Sequence, residues 1–308
     1  MKIKHFVTIA ETPLDDLLEI FATTEQQKRT LAAGKRLEPV LQSKTLAMLF
    51  EKPSLRTRVS FEVAMDQLGG HTTTLGQMEV QLGKRETVAD FARTLSRMVD
   101  VIAARVFRHD HIVLMAQHSR VPIINALSDY SHPCQALADL QTVKERLGGW
   151  KGRKLAFIGD GNNVARSLAY LCAKLGVKFA LAAPQGYEFD KAFVQRLGQA
   201  VESDAFAFEM GHDPKALVSG ADVVYTDVWA SMGQESETEA RRKAFLPYQV
   251  NAALLKAAKS DAIVLHCLPA HRGEEITDEV IDAAQSAVFD QAENRLHTER
   301  ALLALLAK

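Results

Sequence analysis

Cysteine and tryptophan are scarce in this chain, with three and two among 308 residues. Cys134, Cys172 and Cys267 are too few and too scattered for a disulfide framework, which points to a reducing compartment. Neither charge sign is in excess: 37 Lys+Arg stand against 38 Asp+Glu. That balance lacks the electrostatic footprint of a nucleic-acid or acidic-membrane binder. No apolar run is long enough to span a bilayer, and the opening Met1-Lys2-Ile3-Lys4-His5-Phe6 has no signal-like apolar core. The expectation is a soluble, cytoplasmic protein that binds neither nucleic acid nor membrane. Its length suffices for two α/β domains, each with its own core.

What is present is organised around residues 50–58. Thr45-Leu46-Ala47-Met48-Leu49-Phe50 reads as a buried parallel strand. Beyond the Pro53 turn, Leu55, Val59 and Val63 form one helical stripe, and Phe61, Ala64, Met65 and Leu68 another. Gly69-Gly70 is a left-handed stop. Ser54, Arg56 and Thr57 thus lie in the first turn of a helix that follows a strand. Unpaired N–H groups and the macrodipole favour an anion there, and a guanidinium with two hydroxyls makes the anion a phosphate. The plainer reading leaves Ser54 as a cap alone. Arg58 is read as a surface partner of Glu62, one turn away.

A charged amphipathic helix over 13–28, with Leu14, Leu17, Leu18 and Phe21 as its apolar side, precedes this unit. A strand at 71–75, a polar loop over 77–86 and a helix from about Thr87 to Val99 follow it. The strand Val101–Arg105 ends on an arginine, at the strand edge where open α/β sheets bind ligands. His109, His111 and His118 have no carboxylate or cysteine at metal spacing and read as surface or capping residues. After a strand at 121–126, Pro133 opens a helix to about Leu147. That puts His132 and Gln135 at a helix mouth, as caps or as donors toward an anion. Gly148-Gly149-Trp150-Lys151 marks a boundary.

The second half opens on a strand at 154–158 and Gly159-Asp160-Gly161-Asn162-Asn163-Val164. This falls short of a dinucleotide turn, since Val164 stands where the third glycine belongs. Two amides opening a helix suit a small carboxylate or amine better. Strands near 178–182, 205–208, 222–226 and 262–266 alternate with helices, so this half is doubly wound. Cys172 is core. Asp227 and Cys267 each end a strand, and a carboxylate that can hold an ammonium beside a thiol fits an amine nucleophile. Cys267 with His266 and His271 makes a poor zinc set, having no second thiol or carboxylate at a recognised spacing. Arg295 falls in the first turn of a last helix that begins near Ala292.

Four segments, residues 50–58, 132–139, 227–233 and 266–273, resemble the ornithine carbamoyltransferases in sequence, order and spacing, and the resemblance covers essentially the whole chain. It implies an α/β fold of two doubly wound parallel-sheet domains joined by two interdomain helices. Residues 1–147 would bind carbamoyl phosphate, with the helix at about 291–308 packed back on them, and residues 148–290 would bind ornithine. By motif, Ser54, Leu55, Arg56, Thr57 and Gln81 would hold phosphate. Arg105, His132, Gln135, Cys267, Leu268 and Arg295 would contact the carbamoyl end. Asn163, Asp227, Ser231 and Met232 would hold ornithine, and Arg105, His132, Asp227, Cys267 and Arg295 would carry catalysis.

The reaction implied is direct attack of the δ-amine through a tetrahedral intermediate, giving citrulline and phosphate with no cofactor and no metal. Family members form homotrimers or multiples of trimers, with the loop around Gln81 reaching a neighbour's site. Leu55 departs from the usual Thr and removes a hydroxyl. Other acceptors (putrescine, N-acetylornithine, N-succinylornithine) are the enzymatic alternatives, and a non-catalytic phosphate sensor is the alternative of another class.

Overall fold

A computed structural model of the chain describes residues 1–230 and 237–307, the side chains of Met78 and Glu79 left aside. The chain divides into two units, Met1–Ala138 with Glu293–Lys308, and Asp139–Ala292.

In the first unit the elements run α1 (Leu14–Ala32), β1 (Thr45–Phe50), α2 (Leu55–Gln67), β2 (His71–Leu75), α3 (Gln77–Val80), α4 (Val88–Leu95), β3 (Val101–Arg105), α5 (His109–His118) and β4 (Ile123–Leu127). The strands pair in parallel in the order β2-β1-β3-β4. Leu46 to Phe50 are all buried, as a strand covered on both faces requires. Ala47, Leu49, Ile102 and Ala104 pack with Ile112 and Met115 in one core.

Helix faces depart from two expectations. On α1, Leu18 is exposed and Ile20 is buried in its place. The stripe that follows the helical period runs Leu17, Ile20, Phe21, Thr24, and Leu18 lies about 100° off it. On α2 only the second stripe is core: Phe61, Ala64, Met65 and Leu68 are buried, whereas Leu55 and Val59 are 74% and 46% exposed. One face is all that the sheet covers. Gly69, at φ +81°, supplies the left-handed stop after α2.

The helix α6 (Pro133–Leu147) leads into the second unit, with β5 (Lys154–Ile158), α7 (Asn163–Leu175), β6 (Lys178–Ala182), α8 (Lys191–Gln199), β7 (Phe208–Gly211), α9 (Pro214–Val218) and β8 (Val223–Thr226). Then come α10 (Thr238–Phe245), α11 (Ala252–Leu255), β9 (Ile263–His266), α12 (Asp278–Ile281) and α13 (Val288–Leu306). The unit boundaries fall inside α6 and α13. The parallel order is β7-β6-β5-β8-β9. Strand β7 starts three residues later than its apolar pattern suggests, because Phe206 N–H closes a turn onto the Ser203 carbonyl at 3.0 Å. Both sheets are doubly wound, and each reverses direction once: between β1 and β3, and between β5 and β8. Ligand crevices in open α/β sheets lie outside the carboxyl ends of strands at such reversals.

Candidate active site

In the first unit the reversal point gathers the expected anion residues. Phe50 and Arg105 are register partners, so the turn after β1 and the arginine ending β3 emerge side by side. The Glu51 N–H donates to the Arg105 carbonyl at 2.9 Å, and the Glu51 carboxylate accepts from Phe107 N–H at 2.8 Å. Ser54 caps α2, its hydroxyl oxygen accepting from Thr57 N–H at 3.3 Å. Capping and ligand binding are compatible, since an accepting hydroxyl keeps its own proton to donate. With Thr57 N–H engaged in the cap, Leu55 and Arg56 contribute the other N–H groups of the first turn.

Arg295, 3% exposed, is brought to the same place by α13. Its Nη1 donates to Gln135 Oε1 at 2.9 Å and its Nη2 to Thr57 Oγ1 at 3.4 Å. Its Nε donates to Glu299 Oε1 at 2.8 Å, and Nη2 donates to the same oxygen. Ser60 Oγ donates to the other oxygen of Glu299. Removing either member of such a buried pair leaves an uncompensated charge, a loss of about 3–5 kcal/mol. His132 is 5% exposed. Burial first, and then the charges of Arg295, Arg105 and Arg56, push its imidazole well below the ordinary histidine range. It is therefore neutral near pH 7, with one ring N–H. Gln81 stands outside this group, exposed after α3 at φ +37°.

In the second unit the same logic brings a carboxylate to a thiol. Ile158, Thr226 and His266 are aligned across β5, β8 and β9, so Gly159, Asp227 and Cys267 each follow an aligned strand end. Cys267 Sγ donates to Asp227 Oδ1 at 2.9 Å. The same oxygen accepts from Val228 N–H at 2.8 Å, and Oδ2 accepts from Asn162 Nδ2 at 2.9 Å. Asn162 also caps α7, accepting from the Val164 and Ala165 N–H groups at 3.0 Å. Gly161 is required between β5 and this cap, because a Cβ there would lie 2.9 Å from Phe189 Cδ1.

Asp227, His266 and Cys267 bring ligand-type atoms within 4.8 Å of one another. Their hydrogen bonds account for that grouping. His266 Nε2 meets Glu275 Oε1 at 3.1 Å, and its Nδ1 accepts from Leu268 N–H at 2.8 Å, so both ring nitrogens are engaged. Leu268 takes the left-handed φ of +56° beside them. Ser231 and Met232 lie outside the described residues.

Residues 4–145 match the family model described as aspartate/ornithine carbamoyltransferase, carbamoyl-P binding domain. Residues 151–306 match its companion, the Asp/Orn binding domain. The chain belongs to the aspartate/ornithine carbamoyltransferase family. Among curated members it is 56% identical over 303 residues to the anabolic ornithine carbamoyltransferase of Pyrococcus furiosus, covering 98% of this chain and 96% of that protein. It is 53% identical over 292 residues to the ornithine carbamoyltransferase of Thermococcus kodakarensis, covering 95% and 92%. The solved structure of ornithine carbamoyltransferase from Pyrococcus furiosus superposes with a TM-score of 0.95 at 51% identity, covering 98% and 96%.

The family motifs single out Asn163, yet the amide bonded to Asp227 is that of Asn162. Asn162 is one of the two amides that the sequence places at the opening of this helix, where asparagine is a preferred cap. Glu299 and Ser60 were missed. Glu299 stands four residues after Arg295, the spacing of a helical ion pair.

Proposed function

We propose that this chain transfers the carbamoyl group of carbamoyl phosphate to the δ-amine of L-ornithine, giving L-citrulline and phosphate. The observation that carries the proposal is the Cys267–Asp227 pair at neighbouring strand ends, a group suited to orienting an amine. Residues 1–147 with the last helix serve carbamoyl phosphate, and residues 148–290 serve ornithine. Ser54, Arg56, Thr57 and the α2 start hold phosphate, and Leu55 acts there through its backbone N–H. Arg105 and neutral His132 donate to the carbonyl oxygen as charge grows on it, the oxyanion role. Gln135, Leu268 and Arg295 complete the carbamoyl contacts.

Asp227 and Cys267 hold the δ-amine so that its deprotonated form is available, which matters because a free alkylamine is almost wholly protonated at neutral pH. Asn163, Ser231 and Met232 grip the amino-acid end. The amine attacks, a tetrahedral intermediate forms and phosphate leaves, without a covalent enzyme intermediate and without a cofactor. The active form is a homotrimer or a multiple of it, in which Gln81 serves a neighbouring subunit, and it works in the cytoplasm in arginine biosynthesis. No helix among the described residues is long and apolar enough to cross a membrane.

The test is carbamoyl transfer with ornithine, putrescine, N-acetylornithine and N-succinylornithine side by side. Ornithine should be preferred by about 10²-fold or more, since a site built for a charged group rejects analogues that lack it. Failure to form citrulline would end the proposal. A stronger rate with another amine would reassign the acceptor.

A further inference from the structure

Within the first unit, one buried chain of hydrogen bonds has a single direction. Ser60 Oγ and the Arg295 guanidinium both donate to Glu299, which is 0% exposed. Arg295, a donor without acceptors, then donates to Thr57 Oγ1 at 3.4 Å and to Gln135 Oε1 at 2.9 Å. A hydroxyl that accepts there has its O–H left to donate. Thr57 is thereby set as a donor toward an anion, and an ionised phosphoryl oxygen only accepts. Ser54 follows the same rule, its oxygen accepting from Thr57 N–H.

We propose that Glu299 is a positioning residue of the carbamoyl-phosphate cleft, which acts through Arg295 to present Thr57 as a donor to the ligand. This rests on the assignment of residues 1–147 to carbamoyl phosphate. Glu299 itself touches no substrate. Its carboxylate fixes two of the guanidinium's N–H groups, and two more donate to Thr57 and Gln135. Without that carboxylate, Arg295 is free to swing, and Thr57 can turn its hydroxyl proton elsewhere.

The experiment is a double-mutant cycle on the full-length protein with Glu299→Gln and Thr57→Val, read by calorimetry with inorganic phosphate and by kinetics with carbamoyl phosphate. Glu299→Gln is expected to weaken phosphate binding about tenfold and raise the KM for carbamoyl phosphate in step, leaving ornithine saturation unchanged. Once Thr57 is Val, adding Glu299→Gln should cost far less than tenfold, because linked residues are non-additive. Glu299→Asp, which keeps the charge but retracts it by one methylene, carries the same expectation and serves if the glutamine variant folds poorly. Wild-type phosphate affinity in either folded variant, or full additivity in the cycle, would overturn the proposal. Absence of citrulline formation by the unsubstituted protein would instead overturn the assignment on which it rests.

Discussion

The Cys267 thiol donates to Asp227 Oδ1 at 2.9 Å although 40 residues separate them. They meet because β8 and β9 are parallel neighbours with Thr226 opposite His266, so the next residue of each strand leaves the sheet at the same level. Adjacent strands lie about 4.8 Å apart, which is side-chain hydrogen-bonding range for two short residues. In that bond the thiol serves Asp227 as a hydrogen-bond donor.

Cys267→Ser should therefore keep turnover within about tenfold of wild type, since serine retains a donor for Asp227 and no acyl-enzyme is formed. Steady-state rates and intact-mass measurement during turnover check this. A carbamoyl adduct on Cys267 would contradict it.

Asp227→Asn should raise the KM for ornithine and lower turnover, together on the order of 10²-fold, because the charge that holds the amine is lost. Carbamoyl-phosphate binding measured by calorimetry should be unaffected. Equal weakening of both ligands would argue against the division of labour between the two units.

Arg105→Ala should depress turnover by about 10²–10³, the usual effect of deleting one oxyanion donor, with ornithine binding nearly unchanged. A near-wild-type rate would remove Arg105 from the mechanism.

Asn162→Ala removes a cap on α7 and a restraint on Asp227 at once. Thermal unfolding should report a loss of about 1 kcal/mol, and the KM for ornithine should rise while that for carbamoyl phosphate holds. Destabilisation without any kinetic effect would leave Asn162 as a cap alone.

His5 gives a pH dependence with a definite sign. Its Nδ1 accepts from Ile123 N–H at 3.1 Å, and burial, aided by Lys4, lowers the imidazole from 6.5 to about 4. Between those values the unfolded chain binds more protons than the folded one, so stability rises with pH through the window and is lost as pH falls through it. His5→Asn keeps an acceptor for Ile123 but no titrating group. Its melting temperature should fall less than that of wild type between pH 7 and pH 5. The fall should shrink and not vanish, since His109, His132 and His297 are lowered too. Identical slopes would exclude His5 as a contributor.

The local pattern of this sequence determined the alternation of strands and helices, the parallel sheets and the positions where chemistry collects. Ser54, Arg105, His132, Asp227 and Cys267 were legible because each closes a strand or opens a helix, a place set by a few neighbouring residues. The outward turn of Leu18, Leu55 and Val59 was not, because an apolar residue declares its face only once a sheet has chosen what to cover. Partnerships across the chain were equally hidden. Asn162 reaches Asp227 over 65 positions, and Ser60 reaches Glu299 over 239. Strand order and register bring such groups within 3 Å, and both follow from how whole layers pack, a property that no short segment carries.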